Sequence, residues 1–190
     1  MWSVSQENGE LLLETIILYI QSIIVQRKWL EQDIKFPTEL SHSGGIYVSM
    51  NKGDITISSG YPFSDKPLIE SAFEAACNVA IRTLSNSGLE FSGANKYTIF
   101  VDILSPLYSV KVERKLDYLK IVDVHKGLFI ERGFYKGLVL PRFALEKRWN
   151  VDDYLSECCL RAGLAADSWL NYDINVYQFN TQELSSTLSF

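Results

Sequence analysis

An α+β fold, built of antiparallel sheets with packed helices, is what this sequence predicts, and three observations predict it. Strand-like runs close on one another through turns at 44–58 and again at 126–140, so strands pair as hairpins and do not alternate one by one with helices. Helical periodicity marks two long stretches, 9–30 and 67–84. The run "KYTIFVDIL" at 96–104 is rich in β-branched and aromatic residues and apolar on both faces, as an interior strand is.

The elements follow in order. In the first helix Leu12, Ile16, Ile20, Ile23 and Ile24 fall on one face. Its apolar run at 11–25 carries Glu14, Gln21 and Ser22 and falls short of the roughly 20 residues of a membrane span. No basic residue precedes Arg27, whereas a signal peptide starts with positive charge. The expectation is a soluble, cytoplasmic chain without a membrane segment. Pro37 breaks the following loop, and "GGIYVSM" and "DITIS" read as strands joined at "NKGD", where Gly53 can take positive φ. Pro67 opens the second helix, whose broad apolar face runs from Leu68 and Ile69 to Ala80 and Leu84. Further on, Gly133 marks a turn between two short strands and Pro141 starts a short helix. Asn150 caps the next one, with Asp152 and Asp153 in its first turn, where carboxylates favour the positive dipole end. These aspartates read as capping residues. Gly163 ends that helix, and "INVYQF" is a final strand.

Composition bounds the function. Hydrophobic residues make up 47% of the 190 and aromatics 13%, enough for a packed core and too much for a disordered chain. A net charge of −5 argues against a general nucleic-acid binder. The charge is uneven: ten basic residues against five acidic between Lys111 and Arg148, and eight against 18 elsewhere. Cys77, Cys158 and Cys159 form neither a disulfide framework nor a metal knuckle. The neighbours Cys158 and Cys159 point about 100° apart on a helix, which predicts one buried and one half-buried thiol. Two histidines, His42 and His125, are the imidazoles available, and no metalloprotease, serine-hydrolase or phosphate-loop pattern occurs. No cofactor and no metal site is expected. Trp149 and Trp169, flanking the helix after Asn150, are expected to be buried.

The stretch "SHSGGIYVSM" at 41–50 is the candidate site. A Gly-Gly pair between a polar loop and an apolar run lets backbone come close to something, either protein or ligand. His42, Ser43, Gly44, Gly45, Ile46 and Tyr47 are the candidate binding residues; no catalytic residue is named.

"PLIESAFEAACNVA", "DILSP", "KGLFIERGFYKGLVLPRFALEKRWNVDDYL" and "CLRAGLAADSWL" together resemble the AMMECR family, named after the Alport syndrome, mental retardation, midface hypoplasia and elliptocytosis chromosomal region. The resemblance implies one domain, 1–190, of two lobes, each an antiparallel sheet with helices, with a cleft between them. The large lobe would comprise 1–110 plus 171–190 and the small lobe 111–170. The family's motif, Leu-Arg-Gly-Cys-Ile-Gly, sits at a strand start facing that cleft. Here "HSGGIY" takes its place: Gly44 and Ile46 match, while Ser43, Gly45 and Tyr47 replace arginine, cysteine and glycine. The family's Asp-x-Arg-Phe segment is replaced by "NSGLEF". The protein therefore reads as one of unknown biochemical role that binds a macromolecular partner, a protein segment or nucleic acid, in the cleft. The alternative is an enzyme, active or degenerate, using polar groups of the same cleft. Tyr47, Phe134, Tyr135 and Trp149 would supply flat contact area, and Arg132, Lys136 and Arg142 would face phosphates or acidic groups. Family association points to Memo-type and radical-SAM proteins as partners.

Overall fold

The computed structural model describes residues 2–28, 35–85 and 95–189. The order of elements is helix α1 (Gln6–Gln21), a π turn (Ser22–Gln26), a 3-10 turn (Thr38–Ser41), strands β1 (Gly45–Lys52) and β2 (Ile55–Tyr61), helix α2 (Leu68–Leu84) and strand β3 (Lys96–Leu104). There follow β4 (Tyr108–Ser109), α3 (Tyr118–Ile121), β5 (Gly127–Arg132), β6 (Tyr135–Val139), α4 (Pro141–Glu146), α5 (Val151–Arg161), α6 (Ser168–Asn171), β7 (Asn175–Phe179) and β8 (Thr181–Ser189). This is the expected α+β class. The segment "NSGLEF" lies outside the described residues.

The chain divides into two compact units, residues 1–104 with 182–190, and 105–181. Strand pairing draws that division. One sheet runs β2-β1-β3-β8 and the other β4-β7-β5-β6. Because β4 and β5 both pair with β7, residues 105–110 and 171–181, expected with the larger lobe, belong to the second unit.

In the first unit β1 pairs antiparallel with β2 and with β3. Ile46, Val48 and Met50 face Ile103, Val101 and Ile99 in direct register, all of them buried. Period-two alternation puts these side chains on one face of the sheet. On that face lies α2, whose buried stripe of Ala72, Ala75, Ala76, Val79 and Ala80 presents little side-chain bulk and brings the helix close. Helix α1 packs on α2 through Leu12, Ile16 and Ile20. The two-residue link from β1 to β2 works because Gly53 adopts φ +55°. With the π turn, α1 forms a 21-residue stretch, Gln6–Gln26, holding an 18-residue window of mean hydropathy 1.4, long and apolar enough by length and composition to cross a membrane. That is longer than the run at 11–25 suggested, and in this fold its buried stripe packs against α2.

The second unit packs α5 across β5 and β6. A methyl group on Gly137 would lie 2.4 Å from the Cys158 carbonyl oxygen, so only glycine lets the helix sit there. Tyr154 is buried, and its hydroxyl donates towards the carbonyls of Lys126 (2.8 Å) and Val139 (3.0 Å). The start of α5 is a capping box, with Asn150 and Asp153 each accepting from the other's backbone N–H. The expected capping role of that aspartate is what the geometry has. Gly163 ends α5 at φ +78°. Trp169 is buried as expected, but Trp149 is only half-buried, its ring 6.4 Å from that of Tyr154.

Candidate functional site

The 41–47 stretch is pinned before it becomes a strand. His42 leaves the 3-10 turn with extended backbone, and its carbonyl accepts the N–H of Leu68 at 2.8 Å, one of the donors that the start of α2 leaves unpaired. Ser43 forms an antiparallel bridge with Pro67 and is exposed. The 3-10 turn is tied to the start of α1: Glu39 accepts from the Ser5 hydroxyl (2.8 Å), the Ser5 N–H (3.1 Å) and the Asn8 amide. Those hydrogen bonds, Asn8 first, hold the Glu39 carboxyl below the usual carboxylate range, with a lesser contribution from His42.

The glycine pair then separates into two roles. Neither residue takes positive φ. A methyl on Gly44 would make an ordinary 3.5 Å contact with Leu68, whereas one on Gly45 would lie 2.7 Å from the Pro62 carbonyl oxygen and 3.0 Å from Leu104 Cβ. What comes close to Gly45 is therefore the protein's own backbone. Ile46 is wholly buried in the core opposite Ile103, so its side chain is withdrawn from any ligand. Tyr47 lies on the same face as Gly45 and is half-buried, its ring lying against Gly60 directly across the hairpin. His42, Ser43, Gly44 and Tyr47 are the candidate residues left with accessible surface.

The same face carries two buried polar groups that inspection of the sequence missed. Ser49 is fully buried, and Asp102, opposite Tyr47 in the β1–β3 register, is 1% exposed. A carboxylate in a strand as apolar as "KYTIFVDIL" was the signal available, since burying one is costly unless it is compensated.

The reactive groups elsewhere have structural employment. Cys158 lies in contact with the carbonyls of Gly137 (3.4 Å) and Leu128 (3.6 Å), and burial pushes its thiol far up. Cys159 is equally buried, not half-buried as expected, and burial pushes it up to about 11. Cys77 is the half-buried thiol, and its pKa too is raised by burial. None is a ready thiolate nucleophile. His125 is held by Asp123, whose carboxylate accepts its backbone N–H (2.9 Å) and meets its Nδ1 (3.0 Å). Among the described residues no three His, Cys, Asp or Glu side chains are grouped to hold a metal ion.

At the β5–β6 turn the picture is reversed. Gly133 takes φ +60°, and beyond it Phe134 is 103% exposed and Tyr135 54%. Arg132 stacks on Tyr172 at 4.1 Å and Lys136 pairs with Glu131 at 3.0 Å. Arg142, expected to face an anionic partner, is buried.

A family model described as AMMECR1 matches residues 16–184. Protein TK0174 of Thermococcus kodakarensis is 28% identical over 188 residues, covering 96% of this chain and 92% of that one. Protein MJ0810 of Methanocaldococcus jannaschii is 36% identical over 124 residues, 65% of this chain and 62% of that one. The crystal structure of the uncharacterized protein PH0010 from Pyrococcus horikoshii superposes with a TM-score of 0.82 at 24% identity, covering 96% of this chain and 93% of that one.

Proposed function

The chain belongs to the AMMECR1 family, and from that premise we propose that it acts by binding a macromolecular partner, a protein segment in preference to nucleic acid. The observation that carries this reading is the β5–β6 turn, where Phe134 stands clear of its own fold and Tyr135 is more than half exposed beside it. Leaving a large aromatic in water gains nothing for the fold, and aromatic rings are favoured anchors where two proteins meet. Positive φ at Gly133 and the antiparallel pairing of Arg132 with Tyr135 define the turn's shape, so little ordering cost attends its use. In the first unit His42, Ser43, Gly44 and Tyr47 are the second proposed contact, with Tyr47 offering part of a ring. Gly45 and Ile46 support them from within. The net charge of −5 disfavours a polyanionic partner.

The test is capture from native extract on wild-type protein beside Phe134→Ala, followed by affinity measurement on the partner identified. Memo-type and radical-SAM proteins are the first to try. Phe134→Ala should weaken binding at least about tenfold, the size of effect that marks an interface anchor, with an unchanged melting temperature. Unchanged affinity in Phe134→Ala and in Tyr47→Ala refutes the reading. Binding to nucleic acid that weakens steeply with salt would replace it with the polyanion alternative.

A further inference from the structure

We propose that the first unit holds a second, separate site: a pocket for a small organic ammonium ion, lined by Tyr19, Tyr61, Phe73, Glu74, Cys77 and Asn78. The cavity measures about 280 Å³, room for a methylated ammonium headgroup. Three of its six lining side chains are aromatic, and they come from α1, α2 and the end of β2. Tyr19 meets Phe73 edge to face at 5.0 Å, with Phe36 behind Phe73 at 5.8 Å, so the rings brace one another. Aromatic rings that line a cavity can attract a cation through their quadrupoles, as they do where quaternary ammonium groups are recognised.

Charge points the same way. Glu74 is the one lining side chain that carries a full charge. Burial keeps the phenols of Tyr19 and Tyr61 and the thiol of Cys77 protonated, so the wall offers one negative charge and neutral groups. The fold already brings a cation here: the Lys66 ammonium pairs with Glu74, both side chains largely in water at 54% and 42% exposure. An exposed pair of that kind is weak, so an incoming ammonium can displace it. Lys66 is thus the pocket's internal competitor.

Choline is the probe, with 3,3-dimethylbutanol, its neutral carbon isostere, as the control, each titrated while the tyrosine signals are followed by NMR. Choline should bind saturably to the full chain and the isostere at least about threefold more weakly, in line with the modest size of an exposed cation–π contact. Glu74→Gln and Phe73→Leu should each weaken choline about two- to tenfold, and Lys66→Met should tighten it up to about fivefold. Melting curves confirm that each variant is folded. Equal binding of choline and its isostere would reduce the pocket to an apolar cavity. No saturable binding in wild type and in Lys66→Met overturns the site outright, as does a Lys66→Met affinity no better than wild type.

Discussion

Each sheet sets an aromatic ring against a glycine on the neighbouring strand, and the two pairs differ in how far the aromatic residue is buried. In the second unit Phe179 faces Gly127, and a methyl on that glycine would lie 2.1 Å from the ring. In the first, Tyr47 faces Gly60, where a methyl would meet the Tyr47 ring at 2.5 Å and the Ile46 carbonyl oxygen at 2.4 Å. The local device is shared: the glycine leaves a gap in the pleat and the ring fills it. Phe179 is fully buried, whereas Tyr47 is half-buried and keeps a hydroxyl. Covering a glycine needs only a ring. The additional accessible surface of Tyr47 is what separates a packing residue from a candidate contact residue.

The comparison can be broken at several points. The largest effect should come from Phe179→Ala, which empties a fully buried ring site and should cost about 3–5 kcal/mol in chemical denaturation. A loss no larger than that of Tyr47→Ala would show the two rings to be equivalent. Next is Gly60→Ala, which should cost about 1–3 kcal/mol or more, since the obstacle is the Ile46 carbonyl, backbone that cannot rotate away. Gly45→Val should destabilise for the same reason, against the Pro62 carbonyl. A Gly60→Ala protein as stable as wild type would remove the argument. Tyr47→Ala should follow at about 1–2 kcal/mol, as half a burial suggests, and should also weaken partner binding. Stability loss with unchanged affinity would make Tyr47 a packing residue like Phe179.

A smaller, pH-dependent effect should come from a buried thiol. Cys159 in the second unit has its thiol raised from 9.0 to about 11 by burial, so the folded state holds a proton that the unfolded chain releases. Its contribution is complete below about pH 9 and is lost as pH rises towards 11. The melting temperature should fall across that window, and Cys159→Ala should flatten part of the fall. An identical slope in the variant would exclude this thiol. The smallest effect on stability belongs to Phe134→Ala, which should stay within about 0.5 kcal/mol of wild type. A larger loss would mean that the ring packs against something after all.

Much of this was legible in the residues. The β1–β2 turn at Gly53, the N-cap at Asn150 and the helix stop at Gly163 follow from local chemistry, because φ preference and capping are written in neighbouring residues. Strand β8 was not legible. It is the edge of its sheet, and "TQELSSTLS" has only Leu184 and Leu188 to alternate against serines and threonines. Pairing with a neighbouring strand makes it a strand, and pairing is not local. The assignment of β7 to the second sheet, which moves the unit boundary, failed to show for the same reason.

The site divides along that line as well. From the sequence alone came the paired glycines, Gly44 and Gly45, and the need for something to approach closely. Tertiary structure decided what approaches: at Gly45 it is the Pro62 carbonyl, at Gly60 the Tyr47 ring. It also decided that Ile46 and Arg142 are buried and Phe134 is not. Residue type sets which environments a side chain tolerates, but burial is a sum over neighbours distant in the chain, and only the folded chain supplies those neighbours.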